Sequence, residues 1–324
     1  AILFFAGVPC VVLCAMALRT REYAQAACVF AGSFLIMTLF YVARGEAERS
    51  AMYTIPFVLL PAAAILGRIT TINGQWNRSR AACEDLAWAK NAELDEATLN
   101  KFGFESMKQF RNWRWYKGLG GGPIVDLGSH QIDIYSWFLD AQPRSVMASG
   151  GVDYWTDHQW YDNVIALYEY QTKEGVVRAS YQTLTTNSSN GYFETFMGDQ
   201  GSLMTSEEGS RNAVYREGYV PEERWYPWEN KRYIKKESGV AQAEPGKSVL
   251  DVRSSPKPPK YNLLVDMDQP FHQPHLQNFF DAIRGKAKLN CPGEIGYETA
   301  VAVLKVNEAV EAARRLDFKP EDFL

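Results

Sequence analysis

"WRWYKGLGGGPIVDLGSHQIDIYSWFLD", residues 113–140, carries three successive glycines, 120 to 122, and then a carboxylate and an imidazole four positions apart, Asp126 and His130. A helix is expected after the glycines, over about 124–139. Along it Ile124, Val125, Leu127, Ile132, Ile134 and Trp137 compete with Asp126, His130 and Asp133 for the faces of one element. Residues at i and i+4 lie above one another on a helix, so Asp126 and His130 share a face and Asp133 continues the stripe. A polar stripe on an otherwise apolar helix needs a partner.

Two readings of that stripe stand on spacing alone. In the first, the glycines let the backbone approach a ligand closely and take positive φ. Asp126, in the first turn, is kept ionised by the helix dipole and orients an imidazole, and His130 exchanges a proton with a hydroxyl near neutral pH. In the second, Asp126 merely begins a helix and His130 is packed under a sheet. A metal site is not expected. His158 or the His272/His275 pair would have to supply a third ligand from distant loops.

Working outward, "RSVMASGGVDYW" (144–155), "YDNVIALYEYQ" (161–171), "EGVVRASYQTL" (174–184), "GYFETFMGD" (191–199) and "GSLMTS" (201–206) read as strands divided by turn residues. Consecutive short strands without intervening helices imply antiparallel pairing. Upstream, "RITTINGQW" reads as a first strand, and residues 84–110 are polar and helix-prone with little apolar periodicity. Residues 226–262, rich in Lys, Pro and Ser, read as a surface loop. Two helices close the chain, "PHLQNFFDAIRG" with Pro274 in its first turn and Gly285 at its stop, then "GEIGYETAVAVLKVNEAVEAARRL". The fold class expected for residues 67–324 is therefore α+β, an open and mostly antiparallel sheet with helices packed on one face.

Residues 1–66 read differently. "AILFFAGVPCVVLCAMAL" runs 18 residues without a charge, "AACVFAGSFLIMTLFYVA" does the same over 26–43, and "AMYTIPFVLLPAAAIL" covers 51–66. Crossing a bilayer takes about 20 apolar residues, so a hydrophobic, helical, membrane-like segment of three spans is expected, with the remainder on the cytoplasmic side of the membrane. "ARGEAERSAMYTIPFVLLPAAA" is also similar to the tail of a multispan glycosyltransferase of the mannosyltransferase type. The first residue is Ala rather than Met, as in a sequence that begins inside a longer reading frame.

The 34 basic and 38 acidic side chains give a net charge of −4, which offers no electrostatic footprint for a nucleic-acid partner. The five cysteines, at 10, 14, 28, 83 and 291, show no metal-ligand spacing.

The stretch 113–140, the strand series and the ending "HLQNFFDAIRGKAKLNCPGEIGYETAVAVLKVNEAVEAA" together resemble the substrate-side, C-terminal domain of the Gfo/Idh/MocA oxidoreductases, the group of glucose-fructose oxidoreductase and inositol dehydrogenase. The resemblance implies catalytic roles for Asp126 and His130, with the imidazole handling the proton of a sugar or cyclitol hydroxyl. It makes Arg114, Lys117 and Asp133 candidate substrate contacts. It implies NAD or NADP as cofactor and a homo-oligomer joined through the sheet face. A family member also begins with a nucleotide domain bearing G-x-G-x-x-G. Here "GLGGGP" has proline at the last glycine and follows no strand, so tight binding of the dinucleotide by this chain is not expected. Three readings stay open: a sugar or cyclitol oxidoreductase represented by its substrate domain, a membrane-tethered binding or oligomerisation module without chemistry, and an accidental join between a membrane glycosyltransferase tail and an oxidoreductase fragment.

Overall fold

The computed structural model describes residues 65–238, 257–264, 270 and 272–323. The expected membrane spans, apart from Ile65 and Leu66, lie outside the described residues, as do Cys10, Cys14 and Cys28. Among the described residues no helix is long and apolar enough to cross a membrane.

One sheet of ten strands organises the described residues, in the order β10-β2-β3-β4-β1-β5-β6-β7-β9-β8. The strands that frame the site are β1 (Ile69–Asn77), β2 (Pro143–Gly151), β3 (Asn163–Thr172), β4 (Gly175–Leu184), β5 (Tyr192–Gly198) and β6 (Gly201–Thr205). The rest of the sheet is β7 (Ala213–Arg216), β8 (Ile234–Lys236), β9 (Lys260–Leu263) and β10 (Leu316–Asp317). Neighbours pair antiparallel except β1 with β4, which run parallel with Asn77 opposite Leu184. The mostly antiparallel α+β reading thus holds.

Alternation explains the strands. In β3, Val164, Ala166, Tyr168 and Tyr170 are wholly buried while Ile165 and Leu167 face outward, the period of two that a half-covered sheet imposes. The inward side chains meet two helices, α4 (Gly128–Leu139) and α7 (Gly293–Ala312). From α7, Ala302, Val303, Val306 and Ala309 form the buried stripe, and their small size lets Tyr168 Oη donate to the Ala302 carbonyl at 3.1 Å. From α4, Ile132 and Tyr135 are fully buried, and Tyr135 Oη donates to Ser180 O at 3.1 Å. These two phenols each find an acceptor, which offsets the desolvation of the hydroxyl, whereas the buried Tyr170 and Tyr261 hydroxyls have no partner among the described residues.

Three expectations need amendment. Residues 84–110 form little helix, only α1 (Glu96–Lys101) and α2 (Met107–Arg111), each started by a side-chain cap, Asp95 and Ser106. Residues 226–262 carry α5 (Tyr226–Asn230) together with β8 and β9 at their described ends. The outer helix α6 (His272–Ile283) stops before Gly285 as expected, but buries none of its residues. Ile65 and Leu66, the last residues of the expected membrane segment, are instead buried in this core, where Leu66 O accepts from Gln200 N at 2.9 Å.

Candidate functional site

The expected single helix after the glycines is broken at Leu127. Its first piece, α3 (Pro123–Asp126), starts with Pro at its first position behind Gly122, and α4 begins afresh at Gly128. Asp126 and His130 therefore stand on either side of a joint. Both still line one cavity of about 460 Å³.

That cavity is built from segments far apart in sequence. Trp76 and Arg78 come from the end of β1, Arg111 from the end of α2, and Arg114 and Trp115 from a 3-10 turn at Trp113–Trp115. The parallel pairing of β1 with β4 brings Thr185, just past Leu184, to the same wall. His130 is exposed, with the Trp76 ring 5.7 Å away, and Trp76 in turn stacks on Tyr192 at 4.7 Å. Asp126 does not reach toward the imidazole as its principal partner. Its Oδ1 accepts from Arg114 Nε at 2.8 Å. Both members of this ion pair are partly exposed, so it contributes at most ~1 kcal/mol and chiefly fixes the carboxylate's place. Burial pushes the Cys83 thiol up, and the charge of Arg78 pulls it partly back.

The remaining expected contacts lie elsewhere. Lys117 Nζ donates to Glu311 Oε1 at 2.8 Å and sits over the Trp160 ring. Asp133 accepts from Thr299 Oγ1 at 2.7 Å and so ties α4 to α7. Neither lines the cavity. Sequence reading missed Trp76, Arg78, Arg111 and Trp115. The repeated Trp and Arg of "RNWRWYK" was the available signal, since aromatic faces and guanidinium groups in one loop can form a polar wall.

The glycines serve the chain's own packing. A Cβ on Gly122 would lie 2.7 Å from Trp160 Cβ, and Gly122 has φ 77°. On Gly120 a Cβ would meet Arg114 Cα at 2.9 Å. Their polar groups are also engaged: Gly122 N donates to Arg114 O, Trp160 Nε1 to Gly120 O, and Asn307 Nδ2 to Gly121 O. A phosphate cradle needs amides free to point at an anion. In this turn the Gly120 and Gly122 amides are already bonded to Tyr116 O and Arg114 O.

Asp85, Asp157 and His158 bring three ligand atoms within 4.8 Å of one another. Lys108 Nζ already bonds both carboxylates, at 2.9 and 2.8 Å. His158 is stacked on Trp115 at 4.0 Å, and burial holds its pKa below the usual imidazole range. The cluster forms a brace behind the Trp115 wall, with one lysine bridging two carboxylates.

Residues 62–204 match the family model "GFO/IDH/MocA C-terminal domain". The match begins ahead of the compositional change near Gly67. No curated protein sequence matches the chain. Among solved structures, levoglucosan dehydrogenase in complex with NADH and L-sorbose is 14% identical, with a TM-score of 0.51, over 83% of this chain and 64% of that one. The complex of that enzyme with NADH and levoglucosan is 13% identical, with a TM-score of 0.50, over 82% of this chain and 62% of that one. An NAD-binding protein from Listeria innocua is 14% identical with a TM-score of 0.49, over 81% and 63%. At such identities the likeness is one of fold, and the chain spans less than two thirds of the length of each of these three. Residues 62–204, which hold β1 to β5 and α4, thus match the C-terminal domain of the Gfo/Idh/MocA oxidoreductases.

Proposed function

We propose that the chain is the substrate side of a sugar or cyclitol oxidoreductase, and that His130 exchanges the proton of a substrate hydroxyl. One observation carries this reading: Arg114, Asp126 and His130 line a single cavity with Trp76 and Trp115 in its walls. Flat indole faces suit the apolar C–H face of a ring whose hydroxyls point sideways to polar groups. An imidazole open to the cavity can take up a substrate proton, and proton transfer by such a group contributes about 10² to 10⁴ in rate. Asp126, placed by Arg114, supplies the negative charge that favours the imidazolium once the proton has been taken.

Arg114 is then the substrate contact. Lys117 and Asp133 hold the wall to α7 through Glu311 and Thr299. NAD or NADP is the cofactor that the family implies. In this reading residues 67–324 work as one substrate and oligomerisation domain. Copies associate through the sheet face that bears Met147, Ile165 and Leu167, exposed at 49, 58 and 36%; among the described residues no helix covers it.

Saturation-transfer NMR with myo-inositol and glucose tests the cavity. Transfer to ring protons is expected in the parent chain and its loss in Trp76→Ala; no transfer from either compound would remove the sugar reading. NADH should show no tight binding, and energy transfer from tryptophan to nicotinamide at micromolar concentration would overturn that part. In any preparation that turns over with NAD or NADP, His130→Asn should lower kcat while leaving cofactor affinity nearly unchanged.

A further inference from the structure

We propose that the cavity selects an anionic substrate, a sugar or sugar-like polyol carrying a carboxylate or phosphate, whose charged group is held by Arg78 and Arg111. The inference rests on the sugar reading of this cavity and deepens it.

The charge inventory of the walls leads there. Two carboxylates line the cavity, Glu84 and Asp126, and each already has a partner: Glu84 pairs with Arg80 at 3.5 Å and Asp126 with Arg114 at 2.8 Å. Arg78 and Arg111 also line it, and among the described residues no carboxylate pairs with either. Two guanidinium groups are therefore left over in one concave wall. The chain as a whole has a net charge of −4, so this excess is local to the cavity.

An exposed arginine on a flat surface needs no partner, because water solvates it. Arg78 is different. It is half-buried at the mouth of β1, and its backbone is fixed by the bond from Arg78 N to Leu184 O at 2.7 Å. The side chain preceding it is pinned as well, Asn77 Nδ2 donating to Ser189 O at 2.9 Å. A cation held in place and partly shielded from water focuses its potential into the concavity. Guanidinium is weakly hydrated, and its planar fork matches the two oxygens of a carboxylate or phosphate. A neutral sugar would fill the same volume and leave both charges uncompensated. About 460 Å³ accommodates a hexose together with its charged substituent.

The test is a titration of the full chain, followed by tryptophan fluorescence, with glucose, glucuronate, glucose 6-phosphate and inorganic phosphate. At least one anionic sugar is expected to bind about ten-fold or more tighter than glucose, and the tighter of the two identifies carboxylate or phosphate as the recognised group. Arg78→Gln should lower the affinity of the anionic sugar by a larger factor than that of glucose and so erase the preference, Arg78→Lys should restore part of it, and Arg111→Gln should reduce it. Equal binding of glucose and both anionic sugars would overturn the inference and leave the sugar reading standing. Inorganic phosphate binding as tightly as glucose 6-phosphate would also overturn it, because charge alone would then account for the affinity. Failure of every ligand to bind would overturn both readings together.

Discussion

Alanine in place of Gly122 would set a Cβ 2.7 Å from Trp160 Cβ on a backbone with φ 77°. Gly118 has a similar φ, 82°, with nothing within 4 Å. The two positions separate backbone strain from crowding. Gly118→Ala should cost about 1 kcal/mol through φ alone, and Gly122→Ala about 2–4 kcal/mol once the displaced indole is added; urea unfolding of the two variants measures the gap. Equal losses would mean that Trp160 does not press on the turn. Sequence spacing revealed Asp126 and His130 because both lie on one stretch, and it revealed Arg114 through the resemblance carried by that stretch. It could not reveal Trp76, Arg78 or Thr185. The pairing of β1 with β4 joins residues about a hundred positions apart and sets these three side by side, and no local pattern encodes that register.

At the scale of elements, the five strands from 143 to 205 were legible because one covered face forces alternation. Residues 84–110 were misread because turns such as that at Lys90–Ala92 satisfy the backbone locally and leave only the two short capped helices. The joint at Leu127 left no sequence signature. Glu194 of β5 breaks the alternation by pointing inward, where it accepts from Thr205 Oγ1 at 3.0 Å. Burial pushes its carboxyl from an ordinary 4.5 up to about 7. In the unfolded chain this group ionises above 4.5, while the folded chain keeps its proton until about 7. Stability is therefore greatest below the lower value and falls as pH rises between the two, by up to about 3 kcal/mol for complete separation of the two values. Glu194→Gln should flatten that slope and stabilise the protein above neutrality. Urea midpoints at about pH 5 and about pH 8 would show it, and an unchanged slope would assign the pH dependence to other groups.

For the whole molecule, the uncovered sheet face sets the expectation for assembly. Met147 stands opposite Leu167 across the β2–β3 ladder, with Ile165 two residues along the same face, so a charge introduced there meets its own counterpart in a two-fold contact. Ile165→Glu should dissociate the assembly without loss of secondary structure, as read by sedimentation velocity and circular dichroism. A parent chain that sediments as a monomer would remove the proposed contact.

The position of β1 has a further consequence. It is the earliest strand among the described residues and yet lies inside the sheet, hydrogen-bonded to β4 on one side and β5 on the other. Trimming the chain past Asn77 would split the ladder into two fragments, each with a raw edge open to unwanted pairing, whereas trimming at β10 would shorten it by two residues. The centre of the ladder also closes late in time, because β4 must wait for a partner made long before it. A lesion at the start of this domain should therefore surface as aggregation during synthesis, well before any defect at His130 could be assayed.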